Sequence, residues 1–233
     1  MGLLWSWFLG LIVALWTIFI SLVTIPSALL IKGSGRFWGR LWGRVCCALF
    51  GVHPRLEGLE NVPSGCGVIV APNHASMFDI FVIWGLPLDL KWIMKIQLVR
   101  IPIFGWAIYV MGNYYVRRTG SGKDLAALRR VEDGLRQGTS VVIFPEGTRS
   151  KTGALLPLRK GAFRAAQNAG VPLIPTAIIG TYEIAPKGTL PTRRGHAVTV
   201  RMGKPFYVRP DDDIPLAMER FREELLRLIS LGK

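Results

Sequence analysis

The chain has 233 residues, half of them hydrophobic, and 29 lysines and arginines against 15 acidic residues give it a net charge of +14. So apolar and basic a composition suits an anionic membrane surface or a phosphorylated substrate and disfavours DNA as partner, so no nucleic acid is expected. Three cysteines, Cys46 and Cys47 adjacent and Cys66 apart, exclude a disulfide framework, and no Cys-x2-Cys or His-rich spacing implies a metal.

No charged side chain precedes Lys32, and residues 3–31 are apolar apart from small and hydroxyl residues. At about 1.5 Å per residue this run exceeds the roughly 30 Å of a bilayer's hydrocarbon, so it is expected to be a membrane segment; its length and lack of a basic start disfavour a cleaved signal peptide. Pro26, without an amide hydrogen, should end or kink that helix, and Lys32-Gly33-Ser34-Gly35 reads as a turn. A second helix over about 35–50 carries three stripes: Arg36, Arg40 and Arg44 on one edge, Phe37, Trp38, Leu41, Trp42 and Val45 opposite, and a seam of Gly35, Gly39 and Gly43. The arginines suit phosphate headgroups, Trp38 and Trp42 suit the acyl boundary, and the glycines suit close backbone approach. A small-residue seam in the first helix, Gly10, Ala14, Thr17 and Ser21, is the expected partner of the glycines. Residues 1–50 thus read as a two-helix membrane anchor and 51–233 as one domain; a one-leaflet hairpin and a single span both stay open, and the arginines favour a cytoplasmic domain.

From Val52 onward short apolar strands alternate with helical stretches. Strands are expected at 55–59, 67–71, 91–94, 114–117, 140–144, 174–179 and 197–202, and helices at 76–84, 102–111, 123–137, 160–168 and 216–229. This alternation predicts an α/β fold: a mostly parallel mixed sheet flanked by helices, with its sites at the C-terminal ends of the strands.

One such end reads Pro72-Asn73-His74-Ala75-Ser76-Met77-Phe78-Asp79. Imidazole can take a hydroxyl proton near neutral pH, and a carboxylate on its other nitrogen fixes the tautomer and stabilises the imidazolium, so the pair suits base-assisted attack by an alcohol. Five positions on a regular helix turn by about 140°, so His74 must sit in a turn and Asp79 in the helix's first turn for them to meet. A plainer alternative is a capping box, Ser76-x-x-Asp79, with His74 closing the strand end.

A second such end reads Phe144-Pro145-Glu146-Gly147-Thr148-Arg149-Ser150. Arg149 can grip a phosphate bidentately, Gly147 permits an unusual turn, and Thr148 can add a donor; the alternative is a solvated turn with a Glu146 and Arg149 pair. Arg117 and Arg118 follow one strand and Lys95 ends another, while Lys160 and Arg164 read as a solvated helix face. The run 120–123 is not a phosphate-binding loop, because Arg117 and Asp124 stand where that motif needs Gly and Ser or Thr. His53 and His196 read as structural.

Asn73-His74-x4-Asp79, Gly112-Asn113-Tyr114-Tyr115-Val116-Arg117, the 144–150 stretch and Val171-Pro172-Leu173-Ile174-Pro175, in this order, resemble the blocks of the glycerolipid acyltransferase family, most nearly the bacterial 1-acyl-glycerol-3-phosphate acyltransferases. The resemblance implies acyl transfer from an acyl carrier protein or coenzyme A thioester to a lysophospholipid hydroxyl, without cofactor or metal, at the inner face of a bacterial cell membrane. It implies His74 as general base, Asp79 as its partner, and Arg149, Arg117 and Lys95, with Glu146, Gly147 and Thr148, around the acceptor's phosphate. Residues 171–175 would then supply only shape, beside the acyl chain, and a backbone amide near the His74 turn would meet the oxyanion. Two rivals remain: another acceptor (glycerol-3-phosphate, a different lysophospholipid, a lyso-ornithine lipid), or a membrane-binding protein without catalysis.

Overall fold

The computed structural model describes residues 3–117, 122–189 and 195–231. Arg118, Gly120 and Ser121 lie outside these. Seven strands form one sheet in the order β1-β7-β6-β2-β5-β3-β4, with β1 at Arg55–Glu57, β2 at Ile69–Pro72, β3 at Leu90–Lys95, β4 at Tyr114–Val116, β5 at Ser140–Val142, β6 at Leu173–Ile179 and β7 at Thr199–Met202. Only the β6 and β7 pair is antiparallel; every other neighbour pair is parallel. The expected mixed sheet is therefore the observed one. β2, apolar and fully buried at all its positions, lies near the middle between β6 and β5, as a strand covered on both faces must. Because β2, β3, β5 and β6 run parallel, their C-terminal ends open on one edge.

Helices cover both faces: α1 Leu3–Leu30, α2 Ser34–Leu49, α3 Phe78–Gly85, α4 Phe104–Val110, α5 Gly122–Arg136, α6 Lys160–Ala169 and α7 Ile214–Ser230. One apolar cluster joins Leu9, Cys46, Cys47 and Phe50 of the amino-terminal part to Phe78, Phe81, Trp92 and Val142; the other packs Phe163, Phe221 and Leu225 against Leu173 and Ala177. The residues of 171–175 belong to this central core and do not line the cavity described below, which corrects their expected place beside an acyl chain.

Helix α1 runs through Pro26 to Leu30, so the proline does not end it. It is long and apolar enough to cross a membrane. Ser6, Leu9, Ile20, Ser21 and Thr24 are nevertheless buried at helical spacing, while Leu4, Trp7, Phe8, Leu11, Leu15, Phe19 and Leu22 are exposed. The chain then turns at Gly33, whose φ of 88° suits glycine.

The glycine seam of α2 faces α3 and Met111, just past α4, not α1. A Cβ at Gly43 would lie 2.5 Å from the Phe81 carbonyl oxygen and 2.7 Å from the Gly85 nitrogen, and one at Gly39 would meet the Trp84 ring. At Gly10, by contrast, a Cβ would meet nothing within 4 Å. α2 has two neighbours, and its flattest stripe has gone to the helix it must approach most closely. α1 is held by larger side chains: the Trp38 indole donates to Ser27 Oγ at 2.8 Å and that of Trp42 to Thr17 Oγ1 at 2.9 Å. Trp38 and Trp42 are thus half-buried under α1. Beside the seam, Arg44 donates to the Gly85 carbonyl at 3.1 Å, Arg40 leans toward the Leu88 carbonyl at 3.5 Å, and Arg36 pairs with Asp89 at 2.9 Å. The arginine edge grips the connection that follows α3, where the helix's last carbonyls attract cations.

Candidate active site

Beyond Pro72 the chain curls before α3 begins. Asn73 fixes the start: its side-chain amide donates to the Ile178 carbonyl at 3.0 Å and its Oδ1 accepts from the Ile178 amide at 2.7 Å, extending the bond pattern between β2 and β6 by one side chain. Asp79 Oδ2 accepts from the amides of Ala75 at 2.8 Å and Ser76 at 2.9 Å. That curl returns His74 to the helix's first turn, where its Nδ1 lies 2.8 Å from the same Asp79 oxygen. Asp79 Oδ1 accepts from the Thr181 hydroxyl at 2.5 Å. The capping alternative and the dyad are therefore one arrangement, with the carboxylate serving both.

Asp79 is fully buried, and a carboxylate is stable there because it accepts from several donors. An aspartate accepting at Nδ1 makes that nitrogen the N–H donor of a neutral imidazole and leaves Nε2 with its lone pair. The His74 ring stacks on Phe144, with centroids 3.9 Å apart and planes 23° from parallel. Rotation of the ring is thus opposed on one face by an aromatic and at one nitrogen by a carboxylate.

Glu146 has a different part from the expected one. It is 2% exposed, its Oε1 accepts from the His74 amide at 2.6 Å and its Oε2 from the Leu156 amide at 2.7 Å. Burial pushes its carboxyl up to about 7 against the Leu156 and His74 amides, which favour the charged form; the nearby Asp79 adds to the rise and Arg222 opposes it. A buried carboxylate with both oxygens occupied is no phosphate ligand. It ties the 144–150 loop to the His74 turn, and the Ser150 amide adds a bond to the His74 carbonyl at 2.7 Å. The amides of 74, 75 and 76 are engaged by Glu146 and Asp79, so none of these three is the expected oxyanion donor near this turn.

His74 opens into a cavity of about 780 Å³. It is lined by apolar side chains of α1 (Val13, Ile20) with Trp42, Phe81, Phe104 and Ile108, and also by Lys95, Gly147, Thr148, Arg149 and Lys187. Gly147 takes φ 72°, and a Cβ there would crowd Arg159 Nε at 2.8 Å, so the loop's path needs glycine. The structure brings together His74, Asp79, Lys95, Gly147, Thr148 and Arg149 as expected. Arg117, exposed past the end of β4, does not line the cavity, because β4 is the sheet's edge strand, two strands from β5. Lys160 and Arg164 are exposed on α6.

Two side chains escaped the sequence reading. Thr181 and Lys187 lie in the loop after β6, which closes over the His74 turn: Ser76 Oγ donates to the Ala185 carbonyl at 2.8 Å, and Lys187 Nζ donates to Thr148 Oγ1 at 3.1 Å and the Arg149 carbonyl at 3.0 Å. A strand exit beside β2 was the available signal.

Residues 53–179 match the family model described as Acyltransferase. A chloroplastic 1-acyl-sn-glycerol-3-phosphate acyltransferase of Brassica napus, BAT2, is 36% identical over 172 residues, 73% of this chain and 50% of that protein. A protein of Pseudomonas aeruginosa with the same activity in its name is 34% identical over 128 residues, 54% of this chain and 49% of its own length. The chain thus aligns with about half the length of these curated relatives. The crystal structure of the 1-acyl-sn-glycerophosphate (LPA) acyltransferase PlsC from Thermotoga maritima is 27% identical with a TM-score of 0.81, over 97% of this chain and 93% of that one.

Proposed function

The chain belongs to the acyltransferase family, and from that membership we propose that it moves an acyl group from an acyl thioester to the sn-2 hydroxyl of 1-acyl-glycerol-3-phosphate, giving phosphatidic acid. The observation that carries this reading is a single cavity with an oriented imidazole, an apolar depth and a cationic end. His74 Nε2 takes the hydroxyl proton as that oxygen bonds to the thioester carbonyl carbon, and Asp79 holds Nδ1–H and stabilises the imidazolium. The tetrahedral intermediate then expels the thiolate, which takes the proton from the imidazolium, so no acyl-enzyme forms. Arg149 and Lys95 bind the phosphate and keep the hydroxyl within attack range. A hydrocarbon chain fits the depth between α1, α2 and α4. The relatives' names and the Thermotoga neighbour support this acceptor over glycerol-3-phosphate or a larger headgroup.

In this reading the exposed apolar side of α1, joined by Phe37, lies in one leaflet, because Ser6, Leu9, Ile20, Ser21 and Thr24 on its other side are buried. The domain sits at the cytoplasmic face of the bacterial membrane that the resemblance implies, with the exposed Arg36 and Arg44 near the headgroups. Co-sedimentation with vesicles that survives high salt supports insertion; release by salt alone would leave only electrostatic attachment.

Purified full-length protein in detergent, given acyl-coenzyme A or acyl carrier protein thioesters and several lyso-acceptors, should release free thiol fastest with lysophosphatidate. Initial-rate patterns should be sequential, and thiol release that ignores the acceptor would refute the reading.

A further inference from the structure

Lys187 comes from a loop that no motif marks, yet it lines the same cavity as His74, Lys95 and Arg149, and its ammonium lies against the Arg149 carbonyl. The loop is anchored: Ile184 and Ala185 are buried, the Ala185 carbonyl accepts from Ser76 Oγ, and Pro186 bridges Ser76. The ammonium donates to Thr148 Oγ1 and the Arg149 carbonyl, and an ammonium has three N–H groups, so one donor remains. Among the described residues no carboxylate lies within ion-pair distance of Lys95, Arg149 or Lys187, whereas Arg36, Arg55, Arg136, Arg201 and Arg227 each have one. Neighbouring cations without counter-charge repel one another, and an anion between them relieves the repulsion.

We propose that Lys187 is a headgroup-binding residue, the third cation of a subsite for a phosphate monoester made with Arg149 and Lys95. It takes the place that the family resemblance implied for Arg117. The proposal rests on the acyl-transfer reading for the identity of the monoester as the acceptor's phosphate. A monoester approaching two negative charges has more to gain from a third cation than a diester has, so Lys187 favours lysophosphatidate over acceptors with esterified headgroups.

Lys187→Gln and Lys187→Arg would be compared with the parent chain by steady-state kinetics and by equilibrium dialysis of glycerol 3-phosphate. Lys187→Gln should raise the lysophosphatidate KM about 10- to 100-fold, with kcat and donor KM nearly unchanged, and Lys187→Arg should recover most of the loss. Glycerol 3-phosphate binding should weaken in parallel. An unmoved acceptor KM overturns the proposal. A rise in donor KM instead assigns the phosphate to the donor's pantetheine arm and overturns it too, as does a joint fall of kcat and Tm, which would mark a merely structural clasp. Should the parent chain bind glycerol 3-phosphate through Lys187 yet transfer no acyl group, the subsite stands and the acyl-transfer reading falls.

Discussion

At the dyad every carboxylate oxygen is occupied: Asp79 takes bonds from His74, Ala75, Ser76 and Thr181, and Glu146 from His74 and Leu156. At the cationic end of the same cavity, Lys95, Arg149 and Lys187 have no carboxylate partner among the described residues. The contrast separates two tasks. A proton acceptor must already point the right way before the substrate arrives, which needs a saturated network, whereas a charge that awaits a ligand must keep its bonding capacity.

The sharpest way to break the comparison is at the dyad. His74→Ala should lower turnover by about 100- to 10,000-fold, and Asp79→Asn nearly as much, since an amide cannot accept at every site the carboxylate does. Circular dichroism and Tm must stay near those of the parent for His74→Ala, and near-normal turnover in that variant would remove it as base. At the other end, Arg149→Ala should act on binding: an acceptor KM raised about 10- to 100-fold with kcat little changed, read from acceptor titrations. A loss confined to kcat would place Arg149 in the dyad's camp.

Thr181→Val tests how far the saturated network matters. It removes one buried donor to Asp79 and should cost about tenfold in turnover, with Thr181→Ser restoring it. Equal activity in both variants would make the bond idle. The smallest effect concerns pH. The Glu146 carboxyl is raised by burial from 4.5 to about 7, so its favourable contribution to stability is complete below the unfolded value and is lost as pH rises through about 7. Tm measured across that window should therefore fall with rising pH in the parent chain, and Glu146→Gln should flatten the fall while lowering stability at acid pH.

Much of this was legible in the sequence. Apolar runs of period two and helices with one apolar face gave every strand and helix to within a few residues, because those patterns are set by local burial. The spacing of His74 and Asp79 left a capping box and a dyad both open, and it was the resemblance of their block to the acyltransferase family that pointed to the dyad. Glu146 was misread because a carboxylate among Gly, Thr and Arg looks like part of a ligand grip, and only coordinates show its two oxygens taken by amides. Lys187 and Thr181 were missed since their partners lie 39 and 102 positions away. The seam of Gly35, Gly39 and Gly43 was correctly read as a place of close approach, but a single helix pattern does not say which neighbour comes close.

Helix α1 itself lines the cavity, through Val13, Thr17, Ile20, Ser21 and Thr24. Trimming the chain to its soluble-looking remainder, a routine step toward easier purification, would therefore leave the reactive corner standing beside an open trench. In the proposed reading the segment that enters the bilayer would also wall the space for the fatty tail, so lipid thickness or lateral pressure acting on that segment would reach the tail directly.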